Sequence, residues 1–535
     1  MNIFSCDTAQ DGTSSLLEIL QKEGHFVSAP CGGRGTCGKC VVRYRKNPTP
    51  PSGADMEKLT KEQIKSGFRL ACQSYPKEPF EVELSEIEEQ IQVEAGSFWQ
   101  MRSREQEKTG NKAGTEQQRR EKTRRQAGQQ PVSEKENTPE NRYGIAVDIG
   151  STTLAAVLIH LDSGERLQTA ASVNHQRVYG ADVLSRIQAS NAGRKWEMQR
   201  CIRQDLKQLF AELAKKEGIQ AEQVERIVVA GNTTMCHLLK GYSCQTLGTA
   251  PFTPVDISCM KGTAEQLLGM RGLFTETVIL PGISAFVGAD ITAGMAAVGL
   301  AAGEEYRLLL DIGTNGEMAL GNRERIYATA TSAGPAFEGG NISCGMAGVP
   351  GAVVHVKLKE DGQSVTEVIG GGKAAGICGT GIIDVTAELL RHGLLDEHGT
   401  FTEQYFEKGY PLAEGVLFTQ KDVRELQMAK AAIRAGMEIL MKKAGVEPEQ
   451  IKTCYLAGGF GTQIAVEQAV QIGLIPASLQ ERTVAAGNTV LEGAIRYLTG
   501  RIAEEDCERI VQITEEVNLA MEPEFEEQYL EQMDF

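Results

Sequence analysis

The sequence predicts a mixed fold in two parts: a small α+β unit at the N-terminus, then a larger α/β unit made of two similar lobes. Three observations carry that reading. Closely spaced cysteines sit in a glycine-rich loop near the start, a long polar stretch follows that cannot form a core, and an apolar strand ending in Asp-Ile-Gly occurs twice. At 535 residues, with 41% hydrophobic and 24% charged, the chain is long enough for several domains with cores of their own. A net charge of −16 argues against a general nucleic-acid binder and against an anionic membrane surface.

The small unit opens on a strand, MNIFSC, with no basic region or apolar signal core before it, so a cytoplasmic location is expected. Asp11 to Ser15 offers capping residues for an apolar helix (Leu16, Leu17, Ile19, Leu20) that Gly24 would end, and strands VVRYR (41–45) and FEVEL (80–84) follow. The loop CGGRGTCGKC places Cys31, Cys37 and Cys40 in a C-x5-C-x2-C spacing, with Cys72 farther on. Four thiolates so spaced suit an iron–sulfur cluster, and glycines at 32, 33, 35 and 38 let backbone N–H groups turn toward bridging sulfides. Structural zinc is the alternative, but it favours a second C-x2-C pair, which is lacking here. The first gap is one residue longer than in plant-type ferredoxins and resembles the adrenodoxin and putidaredoxin branch. That resemblance implies a β-grasp-like 2Fe–2S ferredoxin domain over residues 1–90. The other nine cysteines are scattered without paired spacing and read as reduced core thiols.

Residues 91–141 read as a flexible polar linker. Between Trp99 and Tyr143 the only aliphatic side chains larger than alanine are Met101 and Val132, amid runs such as EQQRREKTRRQAGQQ. Glycines and prolines interrupt any single helix there. As a flexible chain, about 43 residues would span roughly 35 Å root-mean-square.

Residues 142–535 repeat one supersecondary unit. YGIAVDIGSTT (143–153) and LLLDIGTNGE (308–317) each end a strand in Asp-Ile-Gly and a hydroxyl-rich turn. Downstream of each comes a second strand with a glycine turn, IVVAGNTT (227–234) and CYLAGGFGT (454–462). Such turns set N–H groups and hydroxyls against phosphate oxygens, while the carboxylate holds a divalent cation through water. The region thus resembles the acetate-and-sugar-kinase, heat-shock-chaperone and actin superfamily (ASKHA, RNase H-like), an actin-like ATPase of two lobes closing on Mg–ATP. Asp148 and Asp311 are expected to organise magnesium and water. Gly150, Ser151, Thr152, Thr153, Gly313, Thr314, Asn315 and Gly316 would meet phosphates, and Gly458, Gly459 and Gly461 would frame the nucleoside. Glu317 is a candidate for positioning the attacking water. Asp290, inside the apolar stretch 281–303, reads as a satisfied buried carboxylate; the stretch itself suits a core helix better than a membrane span.

A 2Fe–2S domain, a polar linker and an actin-like ATPase in one chain resemble the reductive activators of corrinoid proteins. GNTTMCHLL (231–239), ISAFVGAD (283–290), TSAGPAFEGGNISCGM (331–346) and GICGTGIID (376–384) are similar to phrases of that family. The resemblance implies one-electron reduction of an inactive Co(II) corrinoid protein to Co(I) for methyl transfer, with an upstream low-potential donor and ATP setting direction. Ser332 is the candidate for a weak oxygen ligand to Co(II), a loop serine capping the next turn being the plainer reading. Two departures stand out. The chain passes almost directly from linker to ATPase, where some relatives carry a small middle domain that helps pairing, so a homodimer stays open. It also lacks the C-terminal cysteine clusters of the archaeal relatives. Rival readings are a kinase or phosphatase with a regulatory cluster, and a redox-sensing scaffold without turnover. The activators of hydroxyacyl-CoA dehydratases share the ATPase lobes but hold a 4Fe–4S cluster between subunits, which the N-terminal cysteine pattern opposes.

Overall fold

The structure, a computed structural model, describes residues 2–7, 12–23, 25, 27, 29, 33–84, 142–458 and 464–535. The expected linker at 91–141, with Cys31, Gly459 and Gly461, lies outside the described residues.

The N-terminal unit is a four-stranded antiparallel sheet of β1 (Asn2–Cys6), β2 (Val41–Lys46), β3 (Phe68–Leu70) and β4 (Phe80–Leu84), in the order β1-β4-β2-β3. The expected helix runs Leu16–Lys22. Ser15 accepts from the Glu18 N–H at 3.2 Å, and Glu18 accepts from the Ser15 N–H at 2.9 Å. This reciprocal cap is worth about 1 kcal/mol and fixes where the helix starts. Its apolar face, Leu16 and Leu20, buries against Val42, Leu70, Phe80 and Val82.

The larger unit holds two six-stranded sheets that share a five-strand order and differ in which edge carries the sixth strand. In the first lobe β5 (Tyr143–Ile149), β6 (Thr153–His160), β7 (Arg166–Val173), β8 (Val224–Gly231), β9 (Met260–Thr263) and β10 (Glu276–Ile279) lie in the order β7-β6-β5-β8-β10-β9. The second lobe begins with β11 (Tyr306–Ile312), β12 (Gly316–Gly321) and β13 (Ile326–Thr331). An insertion follows, made of β14 (Ala352–Leu358), β15 (Ser364–Val368), β16 (Gly376–Ile377), β17 (Tyr410–Ala413) and β18 (Val416–Phe418). The lobe is completed by β19 (Ile451–Ala457), β20 (Thr483–Gly487) and β21 (Thr514–Glu516), in the order β20-β19-β11-β12-β13-β21. In each lobe the Asp-Ile-Gly strand is central, antiparallel to the strand that follows it and parallel to the later glycine-turn strand. Its middle residues are buried, hence the continuous apolar runs in the sequence.

Two helices cross between the sheets. Ala289–Val298 realises the expected core helix within 281–303, and Thr489–Leu498 leaves the second lobe after β20 but packs on β5 and β8 of the first. At the crossing a Cβ on Gly493 would lie 2.1 Å from the Ala293 carbonyl oxygen, so only glycine allows these backbones to meet. Among the described residues no helix is long and apolar enough to cross a membrane.

Candidate functional site

The two Asp-Ile-Gly turns face each other. In the first, the Gly150 N–H donates to the Thr153 carbonyl at 3.0 Å; in the second, the Gly313 N–H donates to the Asn315 carbonyl at 2.9 Å. Second partners hold the first turn in place. Asn174 Nδ2 donates to the Gly150 carbonyl at 2.8 Å, Asn232 Nδ2 to Ser151 Oγ at 3.0 Å, and Arg186 Nη2 to the Ser151 carbonyl at 2.5 Å. The hydroxyls of Thr152 and Thr314, one from each lobe, approach to 3.0 Å. Both reach a single oxygen, Oε2 of Glu338, at 3.2 and 2.7 Å. Donors from two turns converging on one oxygen is the geometry a phosphoryl oxygen requires, so these residues fit a nucleotide's phosphates.

Behind the turns stands an acidic group. Burial pushes Asp148 up to about 7, although Asn488 Nδ2 donates to its Oδ2 at 2.7 Å, and Asp290 adds repulsion. Asp311 rises to about 8 through burial and repulsion by Asp148 and Asp290. Asp290 and Glu317 are raised too, chiefly by burial, and Glu317 accepts from Asn315 Nδ2 at 3.1 Å. Asp290 accepts the Ile291 N–H at 2.8 Å, as a satisfied carboxylate should, yet it also belongs to this mutually repelling set. Among the described residues no three His, Cys, Asp or Glu side chains gather tightly enough to grip a bare metal ion.

A stability effect follows. Asp311 binds its proton more tightly folded, at about 8, than at the ordinary 3.8. Between those values the native chain holds more protons than the unfolded one, so this contribution falls as pH rises. The melting temperature in EDTA is expected to decline from pH 5 to 8, and Asp311→Asn to flatten the decline; an unchanged slope in the variant would contradict the assignment.

A cavity of about 610 Å³ opens from the second turn. Thr314, Asn315 and Glu317 line one side and exposed Ser332 the other, with Leu184 and Phe286 at the first-lobe edge. The turn after Ser332, Pro335–Glu338, has no side-chain cap, so the capping reading of Ser332 does not hold. Gly458 has φ 113°, and a Cβ there would lie 2.1 Å from the Ile312 carbonyl oxygen. Strand packing alone therefore demands that glycine. A Cβ on Gly316 would likewise press on Ile433 at 2.7 Å.

In the N-terminal unit the Cys40 and Cys72 sulfurs lie 3.2 Å apart, both thiols buried, and Gln73 Nε2 reaches Cys72 Sγ at 3.7 Å. Cys37 stands on the same loop, between glycines 35 and 38, both at positive φ. The adjacent thiol and burial drive Cys40 far above the usual thiol range. Two buried thiols in contact, one of them on a glycine-rich loop that also carries Cys37, suit an iron–sulfur cluster.

Residues 6–77 match the 2Fe-2S iron-sulfur cluster binding domain, 143–303 the RACo middle region, and 305–535 the C-terminal domain of RACo, the ASKHA domain. The chain is similar to the corrinoid activation enzyme RamQ of Eubacterium limosum, 34% identical over 75% of this chain and 71% of that one. The chain belongs to the reductive activators of corrinoid proteins. It is also similar to the [Co(II) methylated amine-specific corrinoid protein] reductase of Methanosarcina barkeri, 28% identical over 65% of this chain and 68% of that one. A solved structure titled reductive activator for corrinoid, iron-sulfur protein superposes with a TM-score of 0.69 at 27% identity, covering 99% of this chain and 96% of that one.

Within this activator the first lobe corresponds to the family's middle region and the second lobe to its ASKHA domain. Sequence reasoning passed over Asn232, Asn488, Arg186 and Glu338. Two of them carried a signal: Gly-Asn-Thr closes both β8 and β20, and each asparagine caps the next helix while its Nδ2 reaches a residue of the first Asp-Ile-Gly turn, Ser151 or Asp148. Glu338 lies in the phrase TSAGPAFEGG, but nothing in that phrase tells its role apart, and Arg186 carried no signal, since the contacts of both are set by packing.

Proposed function

We propose that this activator passes one electron from a 2Fe–2S cluster held by Cys31, Cys37, Cys40 and Cys72 to a Co(II) corrinoid protein, restoring Co(I) for methyl transfer. The observation that supports it most is the shared cleft: the phosphate turn at Thr314–Glu317 and the exposed hydroxyl of Ser332 line one cavity. A one-electron step costs about 1.4 kcal/mol for every 59 mV uphill, so a deficit near 200 mV costs roughly 5 kcal/mol. Even a donor near about −400 mV can fall short of Co(I) by such a margin. ATP offsets the deficit only if the states it drives bind it unequally, a role suited to two lobes facing each other across the nucleotide.

The chain's residues divide that work. Asp148 and Asp311 organise Mg2+ through its water shell, and Glu317 orients the attacking water. Ser151, Thr152, Thr153, Thr314 and Asn315 meet the phosphates. Gly458, Gly459 and Gly461 frame the nucleoside. Ser332 offers a weak oxygen ligand that five-coordinate Co(II) accepts and Co(I) rejects, so electron arrival loosens the complex and lobe movement separates the products. In an anaerobic assay with the cluster reduced by a low-potential chemical donor and a Co(II) corrinoid protein added, Co(I) absorbance should grow only with Mg–ATP present; its failure to form at saturating ATP would overturn the reading. Ser332→Ala should bind the Co(II) partner about tenfold more weakly, a loss of about 1.4 kcal/mol, with unchanged ATPase activity. Equal affinity in the variant would remove Ser332 from the role.

A further inference from the structure

Glu338 occupies the place that the proposed function reserves for a nucleotide. Its Oε2 accepts from Thr314 Oγ1 of the second lobe at 2.7 Å and from Thr152 Oγ1 of the first at 3.2 Å. These are the hydroxyls the two phosphate turns present to each other, 3.0 Å apart. The carboxylate thus receives hydrogen bonds from both lobes at once.

The surroundings hold it there. Phe337, its neighbour, is fully buried in the second lobe's core. A Cβ on Gly339, the next residue, would lie 2.6 Å from the backbone of Met346, and one on Gly379 would lie 1.8 Å from the Phe337 carbonyl oxygen. The backbone at Glu338 is wedged, so it is the side chain that can yield. Arg186 supplies positive charge from the first lobe. Arg186 is 0% exposed, and among the described residues its guanidinium hydrogen-bonds neutral groups: the Gly180 and Ser151 carbonyls and Met235 Sδ. Its charge acts favourably on Glu338 without a direct ion pair, and a buried cation so placed favours an anion at the threonine hydroxyls.

We propose that Glu338 is an internal stand-in for phosphate, latching the two turns together through Thr152 and Thr314 until a nucleotide's phosphate takes those hydroxyls from it. The inference rests on the nucleotide reading above and adds a competitor to it. The carboxylate bridges the two lobes, and a nucleotide's phosphate must displace it to reach the same hydroxyls. Affinity for nucleotide is therefore lower than the donor set alone would give, and opening the latch belongs to the binding step.

The test is direct binding of Mg–AMPPNP to the full chain by calorimetry. Glu338→Gln keeps the size and removes the charge, and is expected to bind the analogue about tenfold more tightly than wild type, the scale of one like charge removed from an enclosed anion site. Glu338→Ala, which removes the bridge as well, should also bind more tightly and serves if the amide does not fold. A merely structural glutamate would not raise affinity when lost. Equal or weaker binding by both variants overturns the latch while leaving the nucleotide site standing. No binding by wild type or variants overturns both the latch and the nucleotide reading.

Discussion

Asp311→Asn is expected to lower magnesium-dependent ATP hydrolysis about a thousandfold, the effect of losing several kcal/mol of metal-organised transition-state stabilisation. The structure makes this substitution unusually clean. Asp148 is held by Asn488, but the Asp311 carboxylate makes no side-chain hydrogen bond among the described residues, so the asparagine breaks none. It removes an enclosed charge repelled by Asp148 and Asp290. Stability and activity should therefore move in opposite directions: near pH 8 the variant melts higher than wild type while hydrolysis collapses. A variant that hydrolyses ATP normally, or loses activity only by unfolding, would take Asp311 out of the chemistry.

Cys40→Ala is expected to abolish corrinoid reduction altogether. Cys40 and Cys72 are buried and 3.2 Å apart. Cluster ligands bind as thiolates, so assembly depends on all of them being present together. The variant should lose the 2Fe–2S visible and EPR signals and give no Co(I) above background. Its intrinsic nucleotide binding should persist, because the turns at Asp148 and Asp311 draw on residues of the larger unit alone. Full iron content with normal reduction would show that the electron takes another route.

Much of this was legible in the residues. The two Asp-Ile-Gly strands, the cysteine loop and the core helix within 281–303 each declare themselves within a dozen or so positions, because periodicity and motif spacing are local properties. Contacts that complete the site are not local. Asn488 meets Asp148 across 340 positions and Thr152 meets Glu338 across 186. No periodicity encodes such meetings; they arise only when the two lobes are packed against each other. Gly458 teaches a related lesson. Its residue type was legible, but the demand for it comes at least in part from the Ile312 carbonyl beside it. Asp290 shows the converse, since a carboxylate with its own backbone partner still contributes charge to its neighbours.

The helix crossing at Gly493 and Ala293 has a mechanical consequence. Each helix begins at the nucleotide cleft, one bearing Asp290 in its first turn and the other capped by Asn488, and each leans on the opposite lobe's structure. The two helices meet along much of their length, with backbone against backbone at Gly493 and Ala293, so a side chain at that contact would wedge the lobes apart and carry the Asp290 and Asn488 ends away from each other.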